Sequence, residues 1–386
     1  MTVDCHYFAA GECRSCALLE TPYAVQLAEK EARCRALLPG VPDDRWAPAF
    51  PSAEQGFRNR VKLVVGGRPG RVTLGILGPE GTGTDLRECA IQSPGIAAVL
   101  PAIGAFLEGT GLPPYEVPKR RGELKLVHVT VAPGGGLMLR FVVRTERALE
   151  VLRAGLGELR RAVPRAEVIT VNLLPEHKAV LEGEREEMLL GSSLSMELPT
   201  GVTLHLRPQS FFQTNTAVAC ELYRQVAAWV SESGPDSVWD LYCGVGGFAL
   251  HVGATGSGTA PAPAPSVLGV EISEAAVDSA RRSAREAGST AHFLAADATE
   301  FSLGSTREER PELLIVNPPR RGIGPVLAEW IEGSGIPALV YSSCNPESLA
   351  RDLAAMPSYA VSAARVFDMF PHTRHLEVAV RLERRG

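Results

Sequence analysis

A glycine-rich turn between an apolar strand and a helix, at residues 238–248, is the feature that most constrains the fold of this chain. The segment reads VWDLYCGVGGF, and glycines in such a turn let the backbone approach a ligand closely. A second strand, at 267–271, follows and ends in Glu271, where an acid typically accepts hydrogen bonds from a ribose. Strands and helices then alternate to the end of the chain. This alternation predicts an α/β domain with a ligand site at the carboxyl ends of its strands.

The order of glycine turn and acid also occurs in nicotinamide-binding domains. Here the turn lacks the dinucleotide fingerprint, and a loop lengthens the spacing to Glu271. That loop, residues 253–266, is rich in Gly, Ala, Pro and Ser, so we expect it to be a mobile surface loop.

Two further strands end in residues that carry chemistry. Residues 313–320, LLIVNPPR, place Asn317 and two prolines after a hydrophobic strand, a pattern of methyltransferases that act on a base or an amide. Residues 338–346, ALVYSSCNP, end a strand at Cys344 and begin a helix at Asn345 and Pro346. The helix dipole at that point favours the thiolate form of Cys344, which is the nucleophilic form. An isolated cysteine would more often be a buried structural residue, and the neighbouring motifs favour the nucleophile.

Composition and charge limit the remaining possibilities. The 386 residues suffice for two domains, and a net charge of −5 excludes a global basic field, so any nucleic acid must bind to a local patch. We expect a cytoplasmic protein, because the sequence has no signal peptide and no apolar stretch that could cross a membrane. Eight cysteines in a reducing compartment favour metal binding or catalysis over disulfides.

Three cysteines near the N-terminus, Cys5, Cys13 and Cys16, include a Cys-x-x-Cys pair typical of metal ligands. A fourth ligand must come from elsewhere in the chain. Cys34 lies in a predicted helix, whereas Cys89 lies in a turn-rich segment and is the better candidate. Residue types alone leave zinc and an iron–sulfur cluster open.

The segment 48–206 is predicted to form a mostly antiparallel domain. Its strands are at 61–65, 124–131, 137–143 and 168–172, with a glycine turn at 134–136 and a helix at 149–159. Basic residues cluster in two places, which are Arg58, Arg60 and Lys62, and Lys119, Arg120, Arg121 and Lys125. Such clusters can be solvated faces or sites of phosphate contact, and composition alone favours neither.

Long strings of the sequence resemble the bacterial 23S rRNA (uracil-C5)-methyltransferases, in particular the RumB/RlmC branch that acts on uracil 747. The matching strings are EQGFRNRVKLVV, KRRGELK, RPQSFFQTN, WDLYCGVGGFAL, NPPRRGIG, YSSCN and FDMFPHTRHLE. They occur in order over nearly the whole chain. The resemblance implies a class I, Rossmann-like methyltransferase domain at 207–386, a central α+β RNA-binding domain at 48–206 and an iron–sulfur segment at 1–47. Some relatives carry an extra N-terminal β-barrel module, and we expect this chain to open directly on the cluster cysteines instead.

The resemblance also implies cofactors, partner and site residues. It implies S-adenosylmethionine as methyl donor, a 4Fe–4S cluster on Cys5, Cys13, Cys16 and Cys89, and 23S rRNA as partner of a monomeric enzyme. Cys344 is implied to be the nucleophile, through a covalent bond to C6 of uracil, and Glu377 the base. The implied cofactor-binding residues are Gln213, Tyr242, Gly244, Glu271 and Asn317.

Several alternatives stay open at this point. The target could be another 23S uracil or a transfer RNA, or the chain could be a non-catalytic iron–sulfur RNA-binding protein, although Cys344 and Glu377 argue against the last. Cys243, in the glycine turn, is the rival nucleophile, but we expect it to face the cofactor. Asp297 could face the adenine or cap a helix, and Arg320 could contact RNA or the flipped base.

Overall fold

The computed structural model describes residues 3–78, 83–178, 180–254 and 264–385. Residues 255–263 of the expected surface loop lie outside these ranges. The chain packs into two compact units, which are Val3–Cys16 with Ala53–Met196, and Ala17–Ser52 with Glu197–Gly386. The assignment of separate functions to 1–47, 48–206 and 207–386 stays a prediction.

The helices are distributed over both units. They are α1 His6–Ala9, α2 Tyr23–Leu37, α3 Pro94–Gly109, α4 Glu146–Ala154, α5 Leu156–Ala162, α6 Thr216–Ser233, α7 Gly247–Val252, α8 Glu274–Glu286, α9 Ala298–Gly304, α10 Gly324–Ser334 and α11 Pro346–Ala354. Within the described residues, no helix combines the length and apolar character needed to cross a bilayer.

The strands fall into the same two units. They are β1 Arg60–Arg68, β2 Arg71–Leu77, β3 Gly83–Asp85, β4 Leu124–Val131, β5 Leu137–Val143, β6 Ala166–Leu173, β7 Arg185–Leu190, β8 Leu194–Glu197, β9 Thr203–Leu206, β10 Ser237–Leu241, β11 Ser266–Glu271, β12 His292–Ala295, β13 Leu313–Val316, β14 Ala338–Ser343, β15 Tyr359–Phe367 and β16 Glu377–Arg384.

The first unit is built on a sheet in the order β3-β2-β1-β4-β5-β6-β7. Only the β5–β6 neighbours are parallel among the described pairs, which confirms the mostly antiparallel prediction. The predicted helix at 149–159 is interrupted at Gly155, which ends α4 and precedes α5. A side chain at Gly155 would meet Phe106 at 2.9 Å, so this bend also allows close packing on α3.

The second predicted basic cluster is only partly available to solvent. The side chains of Lys119 and Arg121 both pair with Glu116. Lys125 is 8% exposed, and its ammonium donates to the Glu176 carbonyl at 2.7 Å. Lys125 is therefore not placed for phosphate contact, while contact by the exposed members of the cluster stays a prediction.

The second unit contains a sheet in the order β12-β11-β10-β13-β14-β16-β15. The first five strands are parallel, and β16 inserts antiparallel between β14 and β15. Successive strands run outward from β10 in one direction and from β13 in the other. In such sheets the ligand crevice lies where the strand order reverses, at the carboxyl ends of these two strands. This arrangement confirms the α/β prediction for the C-terminal part.

Residues 17–52 belong to this second unit and cover one edge of its sheet. Trp46 and Phe50 form parallel bridges with Ala364 and Phe367 of β15. Cys34 is fully buried on α2, as expected of a helix-face residue.

Candidate active site

A cavity of about 680 Å³ opens at the carboxyl ends of β10, β11, β13 and β14. It brings together both predicted chemical residues and every predicted cofactor-binding residue. These are Cys344, Glu377, Gln213, Tyr242, Gly244, Glu271 and Asn317. The other lining residues are Phe211, Val270, Ile272, Asp297, Ala298, Pro318, Pro319, Arg320, Arg321, Phe370 and His375.

The glycine turn has the backbone needed for a close approach by a ligand. Tyr242 and Gly244 have φ of 63° and 55°, in the left-handed region. A side chain at Gly244 would meet no atom within 4 Å, so its missing Cβ leaves open space along the wall of the cavity. The Glu271 carboxylate accepts from the Gly244 N–H at 3.2 Å and from the Ser273 N–H at 3.0 Å. The acid at the end of β11 is thus attached to the turn at the end of β10.

Cys243 does not line the cavity. Its sulfur lies against β11, where a side chain at Gly269 would meet it at 2.9 Å. The thiol is buried, and burial raises its pKa well above the usual value. The expectation that Cys243 faces the cofactor is therefore wrong, because the left-handed backbone at both neighbours turns this side chain into the core.

Apolar surface and a capping acid complete the wall near the glycine turn. Phe211 and Ile272 are each 70% exposed although both are large hydrophobic side chains. Exposed apolar surface inside a cavity is typical of a ligand site. Asp297 caps α9 by accepting from the N–H groups of Thr299 at 2.8 Å and Glu300 at 3.0 Å. The capping role of Asp297 is confirmed, and the same residue lines the cavity.

Glu377, the first residue of β16, is a buried carboxylate held by two donors. It is 1% exposed, and its Oε1 accepts from the Ser342 hydroxyl at 2.5 Å and from the Asn317 amide at 3.1 Å. Burial raises the pKa of Glu377 to about 7, against the lowering effect of the two hydrogen bonds. The carboxyl group can therefore exchange a proton near neutral pH.

Cys344 lies at the junction of β14 and α11, as predicted. Asn345 caps α11 by accepting from the Glu347 N–H at 3.3 Å, and its amide donates to the Arg320 carbonyl at 2.9 Å. Burial and the Glu377 carboxylate raise the pKa of Cys344 to about 11, while Arg320 lowers it. The expected thiolate-stabilising effect of the helix is thus outweighed by burial and by the Glu377 carboxylate.

Sequence reasoning assigned no role to Ser342, Phe211, Ile272, Phe370 or His375. Ser342 had a readable signal, since residues two apart in a strand share a face and Cys344 follows two positions later. His375 lies in the string PHTRHLE, and its Nδ1 lies 3.3 Å from the Arg320 guanidinium.

The N-terminal cysteines lie in the first unit, whereas Cys34 belongs to the second. The Tyr7 hydroxyl accepts from the Glu88 N–H at 3.2 Å, which joins the segment of Cys5, Cys13 and Cys16 to the turn of Cys89. Burial, followed by the charges of Cys89, Cys13 and Cys5, raises the pKa of Cys16 to about 11. The four thiols are therefore neighbours.

Neighbouring thiols are a donor set that fits an iron–sulfur cluster or zinc. As their side chains stand in the described residues, however, no group of three or more His, Cys, Asp or Glu converges closely enough to hold a metal ion. Ligation of a metal by these cysteines is therefore a proposal.

Comparison with known proteins identifies the family. The profile of the tRNA (Uracil-5-)-methyltransferase family matches residues 200–385. A protein of Shewanella amazonensis is 45% identical over 379 residues, 97% of this chain and 96% of its own length. One of Halothiobacillus neapolitanus is 44% identical over 386 residues, 99% of this chain and 100% of its own length. Both are named 23S rRNA (uracil(747)-C(5))-methyltransferase RlmC.

The chain belongs to the RNA uracil-C5 methyltransferase family. The resemblance read from its sequence strings is confirmed, and the chain is an enzyme of this class. The fold agrees with that of the Pyrococcus abyssi tRNA (uracil-54, C5)-methyltransferase solved with S-adenosyl-L-homocysteine. That likeness has a TM-score of 0.77 at 24% identity and covers 96% of this chain and 84% of the other.

Proposed function

We propose that this methyltransferase transfers a methyl group from S-adenosylmethionine to C5 of a uracil in 23S rRNA, of the uracil 747 type. The names of the nearly full-length relatives support the RNA target. The observation that carries the chemistry is the buried Glu377, hydrogen-bonded to Asn317 in the cavity that Cys344 also lines.

Cys344 opens the reaction on the base. C5 of uracil is a weak nucleophile, so the Cys344 thiolate adds to C6, forms a carbon–sulfur bond and leaves the electron pair as an enolate. S-adenosylmethionine supplies an electrophilic methyl group, which C5 takes as the methyl–sulfonium bond breaks. Cys344 stays bonded to C6 until after the methyl group has been transferred, so one difficult substitution is divided into easier steps.

Glu377 completes the reaction. It removes the C5 proton, whose electron pair restores the C5–C6 double bond as the carbon–sulfur bond to Cys344 breaks. A pKa of about 7 suits this role, because a base is most effective when its pKa lies near the working pH. The carboxylate also raises the pKa of Cys344. The Glu377 carboxylate and the Cys344 thiolate therefore repel each other, and each disfavours the charged form of the other.

The cofactor is assigned to the part of the cavity formed by the glycine turn. We place the ribose at Glu271, the backbone approach at Gly244, and apolar contact at Phe211 and Ile272. Gln213, Tyr242 and Asn317 complete this set of contacts. Asp297 is available to the adenine while it caps α9.

We further propose a 4Fe–4S cluster on Cys5, Cys13, Cys16 and Cys89, with zinc as the alternative for the same thiols. The enzyme is taken to act as a monomer in the cytoplasm, where its 23S rRNA partner is found. The cluster has no place in the methyl-transfer steps above.

The test is transfer of a labelled methyl group to 23S rRNA from cells that lack the gene, followed by mapping of the product. Label at C5 of uracil 747 is expected, and the Cys344→Ala protein serves as the blank. Label on transfer RNA or on another 23S uracil would show that the enzyme acts on that alternative target instead. Absence of transfer to any RNA would contradict the proposal.

A further inference from the structure

A second groove, of about 550 Å³, lies beside the catalytic cavity within the same unit. Arg320 and His375 line both spaces, so the two adjoin. The charged side chains of the groove are Lys30, Arg33, Arg320 and Arg374 against Glu29 and Glu347. Four cations against two carboxylates give a local positive excess on a chain whose net charge is −5.

Two of these cations are already committed to neighbours. The Lys30 ammonium is buried and donates to Asp368 at 2.6 Å and to the Phe370 carbonyl at 3.0 Å. The Arg320 guanidinium lies 3.3 Å from His375 Nδ1. These contacts attach α2 and the β13–α10 loop to the loop at 368–376, which carries Phe370 and His375 into the cavity. Lys30 and Arg320 therefore shape the groove, and the other two arginines, Arg33 and Arg374, can bind a ligand there.

Arg374 and Arg33 are the arginines available to a ligand. Arg374 is exposed, and among the described residues its guanidinium has no hydrogen bond or ion pair. Arg33 is 40% exposed, and its guanidinium donates to Glu347 at 2.5 Å and to the Arg374 carbonyl at 3.0 Å. The Arg33–Glu347 pair is half exposed, and such pairs contribute little to stability, so an incoming anion can replace Glu347 at low cost.

The field in the groove is positive at the point where it meets the cavity. The pKa of His375 is lowered by burial and then by Arg320, Lys30 and Arg33, each of which disfavours a further positive charge there. The same field favours an anion.

We propose that this groove binds a backbone phosphate of the RNA, immediately beside the uracil that enters the catalytic cavity. The inference rests on the proposed function, which makes RNA the substrate. A base must leave its stack to reach Cys344, and its flanking phosphates turn with it. Arg374 and Arg33 hold one of these phosphates at the rim of the cavity, because guanidinium groups match phosphate geometry with paired hydrogen bonds.

Salt dependence of binding is the direct measurement. The RNA is an unmethylated transcript of the 23S rRNA hairpin that carries uracil 747, and affinity is measured over a series of salt concentrations. Each phosphate contact in single-stranded nucleic acid contributes a slope of about 0.7 in the log–log plot. Arg374→Gln and Arg33→Gln are each expected to weaken binding severalfold at low salt and to reduce the slope by up to about 0.7. Arg307→Gln, at an exposed arginine of the same unit outside both spaces, should keep the wild-type slope.

A gain of affinity separates phosphate binding from a structural role. Glu347→Gln removes the carboxylate that competes for Arg33 and leaves an amide of the same size. Tighter RNA binding with a steeper salt slope is expected, whereas a merely structural ion pair predicts unchanged or weaker binding. Affinity for S-adenosylhomocysteine is measured on every variant, and an unchanged value shows that the unit remains folded.

Neutral methylphosphonate linkages, placed one at a time at the phosphates on either side of uracil 747, locate the contact. The neutral linkage at the contacted phosphate should weaken binding of the RNA to the wild-type protein. The same linkage should not weaken binding to Arg374→Gln any further. Wild-type slopes in both Arg374→Gln and Arg33→Gln would overturn the groove assignment. If the wild-type enzyme transferred no methyl group to this RNA, the proposed function would fail instead, and the two failures are therefore distinguishable.

Discussion

The Ser342 hydroxyl donates to Oε1 of Glu377 at 2.5 Å, between two residues that are each no more than 1% exposed. This bond joins neighbouring antiparallel strands, β14 and β16. Asn317 donates to the same oxygen from the end of β13. Among the described residues, Oε2 accepts no hydrogen bond, so the two donors orient the carboxyl group and leave one oxygen for a proton. Ser342 is therefore a positioning residue for the proposed base.

Replacement of Ser342 by alanine should make the base titrate at higher pH. The hydrogen bond lowers the pKa of Glu377, so its loss raises the pKa above about 7 and leaves less carboxylate at neutral pH. A hydrogen bond to a charged group is worth about 1.5–3 kcal/mol, which corresponds to roughly one to two pH units. The rising limb of the pH–rate profile for methyl transfer should move up by this amount. The rate at pH 7 should fall on the order of tenfold or more.

Ser343 supplies the matched control. Its hydroxyl donates to the Asn345 carbonyl and accepts from the Asn345 N–H, and it makes no bond to Glu377. Ser343→Ala should therefore leave the midpoint of the profile unchanged. Equal shifts in both variants would contradict a specific role for Ser342.

The residues at the strand ends could be predicted from the sequence, because a short motif next to each strand identifies them. A glycine turn follows β10, an acid ends β11 and Asn317 follows β13, and the structure gathers them in one cavity. The contact between Ser342 and Glu377 could not be predicted in this way. It depends on β16 inserting beside β14, which is a tertiary pairing between residues 35 positions apart.

Two further features depend on packing that no local pattern reports. The left-handed backbone of Tyr242 and Gly244 decides that Cys243 faces β11. The bridge between Trp46 and Ala364 of β15 joins residues 17–52 to the second compact unit, a pairing between distant parts of the chain.

The reactivity of Cys344 should respond in opposite directions to its two charged neighbours. The Glu377 carboxylate raises the pKa of Cys344 and Arg320 lowers it. Glu377→Gln should therefore bring the thiol pKa below about 11 and speed alkylation by iodoacetamide at pH 8, while Arg320→Gln should slow it. Mass spectrometry of the Cys344 peptide follows the reaction without RNA. The buried Cys243 should stay unmodified in the same samples, and slower alkylation in Glu377→Gln would refute the coupling.

The N-terminal cysteines should hold an iron–sulfur cluster. Protein purified without oxygen should be brown and contain about four irons per chain, as expected for a four-cysteine 4Fe–4S site. Cys89→Ser should lose the colour because it removes a ligand. Cys34→Ser should keep it, since Cys34 is buried on α2 in the other unit. Colourless protein with stoichiometric zinc would favour the alternative metal.

Glu271 should contribute to cofactor binding and not to RNA binding. Its carboxylate orders the glycine turn through Gly244 and is placed for a ribose. Loss of a charged hydrogen bond costs about 1.5–3 kcal/mol, so Glu271→Ala should weaken S-adenosylmethionine binding roughly tenfold to a hundredfold in calorimetry. Glu274→Ala is the control. Glu274 is an exposed acid in the first turn of α8, and this variant should bind S-adenosylmethionine as the wild type does. Equal loss of cofactor and RNA affinity in Glu271→Ala would mean that the unit has misfolded.

The two chemical residues should act in a fixed order, with Cys344 before methyl transfer and Glu377 after it. Cys344→Ala should abolish turnover and form no covalent adduct with RNA. Glu377→Gln should still permit attack and methylation, but the C5 proton cannot then be removed. Elimination stalls, and the enzyme stays bonded to its RNA.

The stalled species can be detected by denaturing electrophoresis with labelled cofactor, which should show a protein–RNA adduct that carries the transferred methyl group. Cys243→Ala is the control for the rival nucleophile and should form adduct and turn over, because its sulfur lies against β11 outside the cavity. A methylated adduct in Cys344→Ala, or full turnover in Glu377→Gln, would show that the order is wrong. Loss of both adduct and turnover in a folded Cys243→Ala protein would show that Cys243, in the glycine turn, is the nucleophile.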